Sequence, residues 1–164
     1  MNRVEFLKNN PPFNLLSPEV LDDFADLFTE TKYSKDTLIY QQEITKMKGI
    51  DVIVKGSYES FFYDKEQNKR LPESHGPGYC YGGISILLNR KKSLRTVIAT
   101  KGTVVLSLKR KYFAGLCQSN DAFFQYFTAE YGRLMLNDDF AHFTKAPPSF
   151  EQSYIASEQL YSRR

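Results

Sequence analysis

The stretch from Gly76 to Ala99, GPGYCYGGISILLNRKKSLRTVIA, concentrates most of the residues that could do chemistry. Glycines at 76, 78, 82 and 83 leave backbone N–H groups free to converge on one point, and Ile84-Ser85-Ile86-Leu87 reads as a short apolar segment with one hydroxyl. The basic loop Arg90-Lys91-Lys92 follows, and Ser93, Arg95 and Thr96 lead into a strand. Glycine amides, the positive end of a short helix, cations and hydroxyls are the parts of a phosphate cradle. The same residues also describe a glycine-rich sheet corner beside a solvated basic loop. Residue types alone leave both readings open.

Other chemistries lack their parts. His75 and His142 are the only histidines, so a metal site built from clustered His and Glu on adjacent strands cannot be assembled. No G-x-S-x-G elbow supports a nucleophile, and Tyr79-Cys80-Tyr81 reads as a packed strand rather than a reactive thiol. Asp22-Asp23 and Asp138-Asp139 fall on helical stretches as solvated pairs. The expectation is a non-enzyme with no cofactor and no metal. Cys80 and Cys117 form no CxxC pair and read as reduced thiols of a cytoplasmic protein.

The elements that must position the glycine-rich stretch follow from hydrophobic spacing. Ser17-Pro18-Glu19 starts a helix, and Val20, Leu21, Phe24, Leu27 and Phe28 carry it to about Phe28. From Thr29 to about Leu108 the pattern is strand-like, with strands at 37–40, 50–54, 58–63, 94–99 and 103–108 separated by turn residues. Many short strands point to a closed barrel or a double-sheet jelly roll. After Arg110 the helical period returns through Met135, in one helix or in two broken near Ser119-Asn120. Ala146-Pro147-Pro148 reads as a linker, which divides the chain into a domain at 1–145 and the start of a connector at 146–164.

Composition bounds the rest. The 164 residues suit one domain, and 41% hydrophobic with 25% charged residues is an ordinary globular balance. Lys and Arg number 22 against 19 Asp and Glu, and the net charge of +3 is too mild to imply a dedicated polyanion binder. No apolar run reaches the ~20 residues of a membrane span.

From about Phe6 to Met135 the chain resembles cyclic-nucleotide-binding domains of the catabolite-activator and protein kinase A regulatory-subunit type. The resemblance rests on the opening PPF-x-x-L-S-P-E-x-L (Pro11 to Leu21), on Lys35 to Tyr40, on the strand-Gly-strand stretch Val52 to Ser60, and on the Gly76-Pro-Gly78 turn. It rests above all on Tyr81-Gly-Gly-Ile-Ser-Ile-Leu87 followed by Thr96-Val97, which matches the frame of the family's phosphate-binding cassette. The resemblance implies a mainly β fold: an eight-strand antiparallel β-roll of double-stranded β-helix or jelly-roll type. Helices would flank it at both ends, and one short helix would lie between Gly82 and Ser93. The ligand-binding residues it implies are Gly82, Gly83, Ile84, Ser85, Lys92, Ser93 and Thr96.

Three departures from the family pattern stand out. Tyr79 replaces the Asp of its G-x-G-D turn, and Gly83 replaces the Glu that accepts from a ribose hydroxyl. Lys92 or Ser93, depending on where a one-residue loop difference falls, replaces the Arg that pairs with the cyclic phosphate. Lys92 is the expected cation, with Arg90, Lys91 and Arg95 as substitutes and Arg95 expected to point outward. The flanks and the helix Phe123 to Met135 resemble the N-terminal domain of bacterial signal-transduction proteins that carry CBS and nucleotidyltransferase-like modules. The implied function is a regulatory domain sensing a cyclic nucleotide or related small phosphate. Its alternative is a degenerate β-roll serving as a docking or dimerisation module. Expected partners are a small nucleotide, downstream domains of the same polypeptide, and a second copy met through the C-terminal helices. Direct DNA binding and membrane association are not expected.

Overall fold

The computed structural model describes residues 1–135, so the linker at Pro147-Pro148, His142 and the proposed boundary at 145 lie outside the described residues. Two N-terminal helices come first, α1 at Arg3–Lys8 and α2 at Pro18–Ala25. Ser17 caps α2 by accepting from the Val20 N–H, and Pro18 takes the first helical position, where a missing N–H costs nothing. α2 ends three residues before the expected Phe28. The chain continues instead in tight turns, with the Leu27 and Phe28 N–H groups donating to the carbonyls of Phe24 and Ala25.

Eight strands follow: β1 Thr29–Lys32, β2 Thr37–Tyr40, β3 Gly49–Lys55, β4 Tyr58–Asp64, β5 Lys69–His75, β6 Cys80–Tyr81, β7 Thr96–Ala99 and β8 Val104–Lys109. They form two antiparallel four-stranded sheets, ordered β1-β8-β3-β6 and β2-β7-β4-β5. The expected β-roll is therefore the observed fold. Only one helix interrupts the strands, α3 at Gly83–Leu87, where the cassette frame places it.

The sheet that holds β3 and β8 is buried on both faces, and alternation along each strand assigns them. Leu106 and Leu108 of β8, with Ile50 and Val52 of β3, pack against the helices. Val105 and Ile53 face into the roll with Tyr58, Tyr81, Val97 and Ala99. The helical layer is completed by α4, Arg110–Ser119, and α5, Asp121–Met135. Asn120 leaves helical geometry at φ −135° and ψ 97°, so the break falls where the sequence puts it. Phe123, Phe124 and Phe127 of α5 are buried; Phe13 and Phe113 meet Phe123, Phe113 also meets Phe127, edge to face or tilted, and Phe28 packs on Phe13 behind them. Fully burying one such ring stabilises the fold by about 1.5–3 kcal/mol. The aromatic face of α5 is thus core as far as it is described.

Candidate functional site

Strands β5 and β6 are edges of different sheets, and between them the roll stays open. The opening is a cavity of about 370 Å³ lined by β5, β6, α3 and Leu94-Arg95 just before β7, with Tyr126, Phe127, Glu130 and Arg133 of α5 across its top. Gly82, Gly83, Ile84 and Ser85 all border it. The N–H groups of Gly83, Ile84 and Ser85 fall in the first turn of α3, where no intrahelical acceptor exists.

Both cassette glycines are required, Gly82 by its left-handed backbone and Gly83 by space. Gly82 has φ +104°, and a Cβ there would lie 2.6 Å from Met47 Cε. At Gly83 a Cβ would lie 2.4 Å from Phe127 Cε1. The place from which the family's glutamate would project is therefore filled by an aromatic ring of α5.

The remaining expected residues lie elsewhere. Lys92 is exposed and sits in an isolated antiparallel bridge opposite Lys46, outside the cavity lining. Ser93 is buried, donating from Oγ to the Arg95 carbonyl at 2.7 Å and accepting from the Tyr81 hydroxyl at 2.8 Å. Thr96 Oγ1 accepts the Gln42 N–H at 3.1 Å and secures the turn before β3. Ser93 and Thr96 brace the cassette rather than line the cavity.

Arg95 corrects an expectation. It points inward, is only 6% exposed, and lines the cavity. It stands in the turn just before β7 that Ser93 braces, and its bonds to β4 and β5 hold the side chain inward. Its Nε donates to Ser60 Oγ at 3.1 Å, and Nη2 donates to the Leu71 carbonyl at 2.6 Å. Nη1 lies 3.7 Å from Glu73 Oε1. Glu73 Oε2 also meets His75 Nε2 at 2.9 Å, and the His75 ring stacks on Tyr79 at 3.6 Å and 7°. The bond from His75 and the Arg95 charge hold the Glu73 carboxyl below its ordinary pKa, against the opposing effect of burial. Burial pushes the Tyr81 hydroxyl up to about 12 and raises the Cys80 thiol, so neither ionises near neutrality. Among the described residues no cluster of three or more His, Cys, Asp or Glu is placed to hold a metal, and no helix is long and apolar enough to cross a membrane.

Glu73 and His75 escape a reading of the sequence because β5 does. Its parity against β4 is the available signal: Tyr58 pairs with His75 and Ser60 with Glu73.

Comparison with known proteins fits this geometry. The cyclic nucleotide-binding domain family is matched over residues 30–120. No curated protein matches in sequence. Among solved structures, the sensor domain of the transcriptional regulator DNR from Pseudomonas aeruginosa superposes with a TM-score of 0.68 at 14% identity, covering 82% of this chain and 90% of that one. Catabolite activator protein of Thermus thermophilus gives 0.63 at 20% identity, over 83% of this chain and 61% of that one. A regulatory subunit of a cAMP-independent protein kinase A from Trypanosoma cruzi, bound to guanosine, gives 0.67 at 17% identity, over 87% of this chain and 48% of that one. The chain thus spans about half to nine-tenths of these neighbours.

Proposed function

The chain belongs to the cyclic nucleotide-binding domain family, and from that premise we propose that its cavity takes a small nucleotide whose anionic phosphate pairs with Arg95. Arg95 carries the reading: a guanidinium 6% exposed, bordering a cavity, with a carboxylate beside it that an incoming phosphate would displace. Its planar fork suits a phosphate better than the point charge of Lys92 would. First-turn amides of α3 add hydrogen bonds, while Gly83 offers no acceptor to a ribose 2′-hydroxyl.

Occupancy is reported through α5. Phe127 sits against Gly83 and is packed in turn on Phe113 and Phe123, so a ligand beneath it bears on the helical layer directly. The domain is a regulatory, non-catalytic unit, and its proposed setting is a bacterial cytoplasmic signalling protein whose output module follows this domain. Trypanosomal kinase regulatory subunits of the same fold bind guanosine in one case and cAMP in another, the latter a mutant, so ligand choice within the fold follows local contacts.

Calorimetry against cAMP, cGMP, AMP and guanosine tests the reading. Arg95→Lys should weaken the phosphate-bearing ligands by about tenfold or more, the worth of a charge-assisted hydrogen bond, and leave guanosine unchanged. Discrimination between cAMP and its 2′-deoxy analogue should be small. A flat titration against all four ligands with folded protein would move the assignment to a docking or dimerisation module.

A further inference from the structure

Three segments far apart in sequence meet at one end of the roll. Met47 N–H donates to the Lys91 carbonyl at 2.7 Å, Ser93 N–H to the Thr45 carbonyl at 2.8 Å, and Arg110 N–H to the Lys48 carbonyl at 2.9 Å. Arg110 Nη1 also reaches the carbonyls of Met47 and Arg90, at 3.3 and 3.1 Å. This stitching gathers Lys46, Lys48, Lys91, Lys92, Lys109 and Lys111, all exposed, and Arg90 and Arg110, both half-buried. Glu43, paired with Arg90, is the acidic side chain bonded within this group. None of the six lysines has an ion pair among the described residues.

One pairing works against the fold. Lys46 and Lys92 stand directly opposite each other in their antiparallel bridge, an arrangement of like charges that destabilises a sheet. An external anionic surface relieves that repulsion. Beside Lys46 the turn presents Ile44, 62% exposed, which matches the boundary of a bilayer and has no use for a phosphodiester backbone. Tyr112, the ring nearest these lysines in sequence, is half-buried with Lys111 Nζ 4.9 Å above it, so it is no platform for a base.

We propose that the face built from residues 44–48, 90–92 and 109–111 is a docking surface for an anionic phospholipid bilayer, independent of the nucleotide cavity. The lysines lie against the headgroups while Ile44 enters the interface. The mild net charge of the whole chain conceals this face, because its cations come from three separate segments.

Vesicle flotation with the whole chain tests it, using phosphatidylcholine alone and phosphatidylcholine with about one-third phosphatidylserine. The protein should float with the anionic vesicles only, and release as salt approaches about 1 M, where the Debye length falls to about 3 Å. Lys92→Glu changes the local charge by two, at about fivefold per charge, so binding should fall about 25-fold. That variant should melt no lower than the parent, since the new carboxylate would face Lys46 with opposite charge. Lys55→Glu, about 20 Å away at the far end of β3, should cost less than threefold. Equal binding to both vesicle types, equal effects of the two substitutions, or tighter binding to random-sequence duplex DNA than to anionic vesicles at matched salt would each overturn the proposal, the last in favour of a nucleic-acid face.

Discussion

Asp51 and Arg95 are the two most telling buried charges in the roll, at 7% and 6% exposure, and they are held in opposite ways. Asp51 is enclosed by hydroxyls: Tyr40 and Tyr58 donate to Oδ2 at 2.6 and 2.9 Å, and Ser107 donates to Oδ1 at 2.7 Å. Burial raises its carboxyl pKa, and those three bonds pull it part of the way back. Arg95 is bound to a hydroxyl and a carbonyl, but its carboxylate neighbour stands at 3.7 Å, beyond hydrogen-bond distance, and the cavity lies beside it. Burial alone therefore does not separate structural charge from functional charge. What separates them is whether short internal partners use up the group's capacity, as at Asp51, or leave it facing open space, as at Arg95.

The largest effect expected from this contrast is the loss of Asp51. Asp51→Ala would orphan the buried Tyr58 hydroxyl and the half-buried hydroxyls of Tyr40 and Ser107, so a total of about 3 kcal/mol is expected, at about 1 kcal/mol each. Thermal unfolding should shift down by roughly 10 °C for a domain of this size. Arg95→Lys should cost clearly less stability and much more phosphate affinity. If Asp51→Ala melted with the parent, the hydroxyl enclosure would not be a structural element of the roll.

A smaller effect probes the wall between cavity and helices. Gly83→Ala brings a Cβ against Phe127, and crowding of this kind costs about 1–3 kcal/mol. In a Phe127→Leu background the same substitution should cost about 1 kcal/mol less, because contacting residues are not additive. Chemical denaturation of the four proteins measures the coupling. Strictly additive costs would mean that Phe127 moves aside freely and does not transmit occupancy of the cavity.

How much of this is legible in the sequence depends on which physical signal each element carries. Strands β2, β3, β4 and β8 stand within a residue of their expected ranges because β-branched and aromatic residues alternate there between turn residues. β7 starts at Thr96, two residues later than expected, since Ser93 and Arg95 are tied into a local turn. β5, KRLPESH, does not read as a strand: it is polar, contains Pro72, and lies at a sheet edge, where proline and charge are tolerated. Glycines 82 and 83 are legible as site residues because their backbone role is written in their type. Proximity in sequence favours Lys92, yet its bridge to Lys46 carries it out of the lining. Arg95 stands in a turn outside β7, so strand parity does not set its direction; its bonds to Ser60 and Leu71, partners far away in sequence, turn it inward.

The smallest expected effect concerns Glu73, and it tests the open side of the contrast by pH. Its carboxyl is held low, first by the bond from His75 and then by Arg95, so the folded state binds its proton less readily than the unfolded chain does. That difference stabilises the fold above the ordinary glutamate pKa of 4.5 and is lost as pH falls through the lower folded value. Asp51, raised rather than lowered, acts in the opposite sense. Because the Glu73 side chain is 38% exposed, solvent screens the interaction, and Glu73→Gln should cost only a few tenths of a kcal/mol at neutral pH. Melting curves of parent and variant should accordingly differ by about 1–2 °C near neutrality and converge as the pH falls through the lowered folded value. Phosphate-bearing ligands should bind the variant more tightly, since the carboxylate they must displace from Arg95 has lost its charge. A gap in melting temperature that widened on acidification, or unchanged affinity for those ligands, would show that Glu73 does not occupy the anion's place beside Arg95.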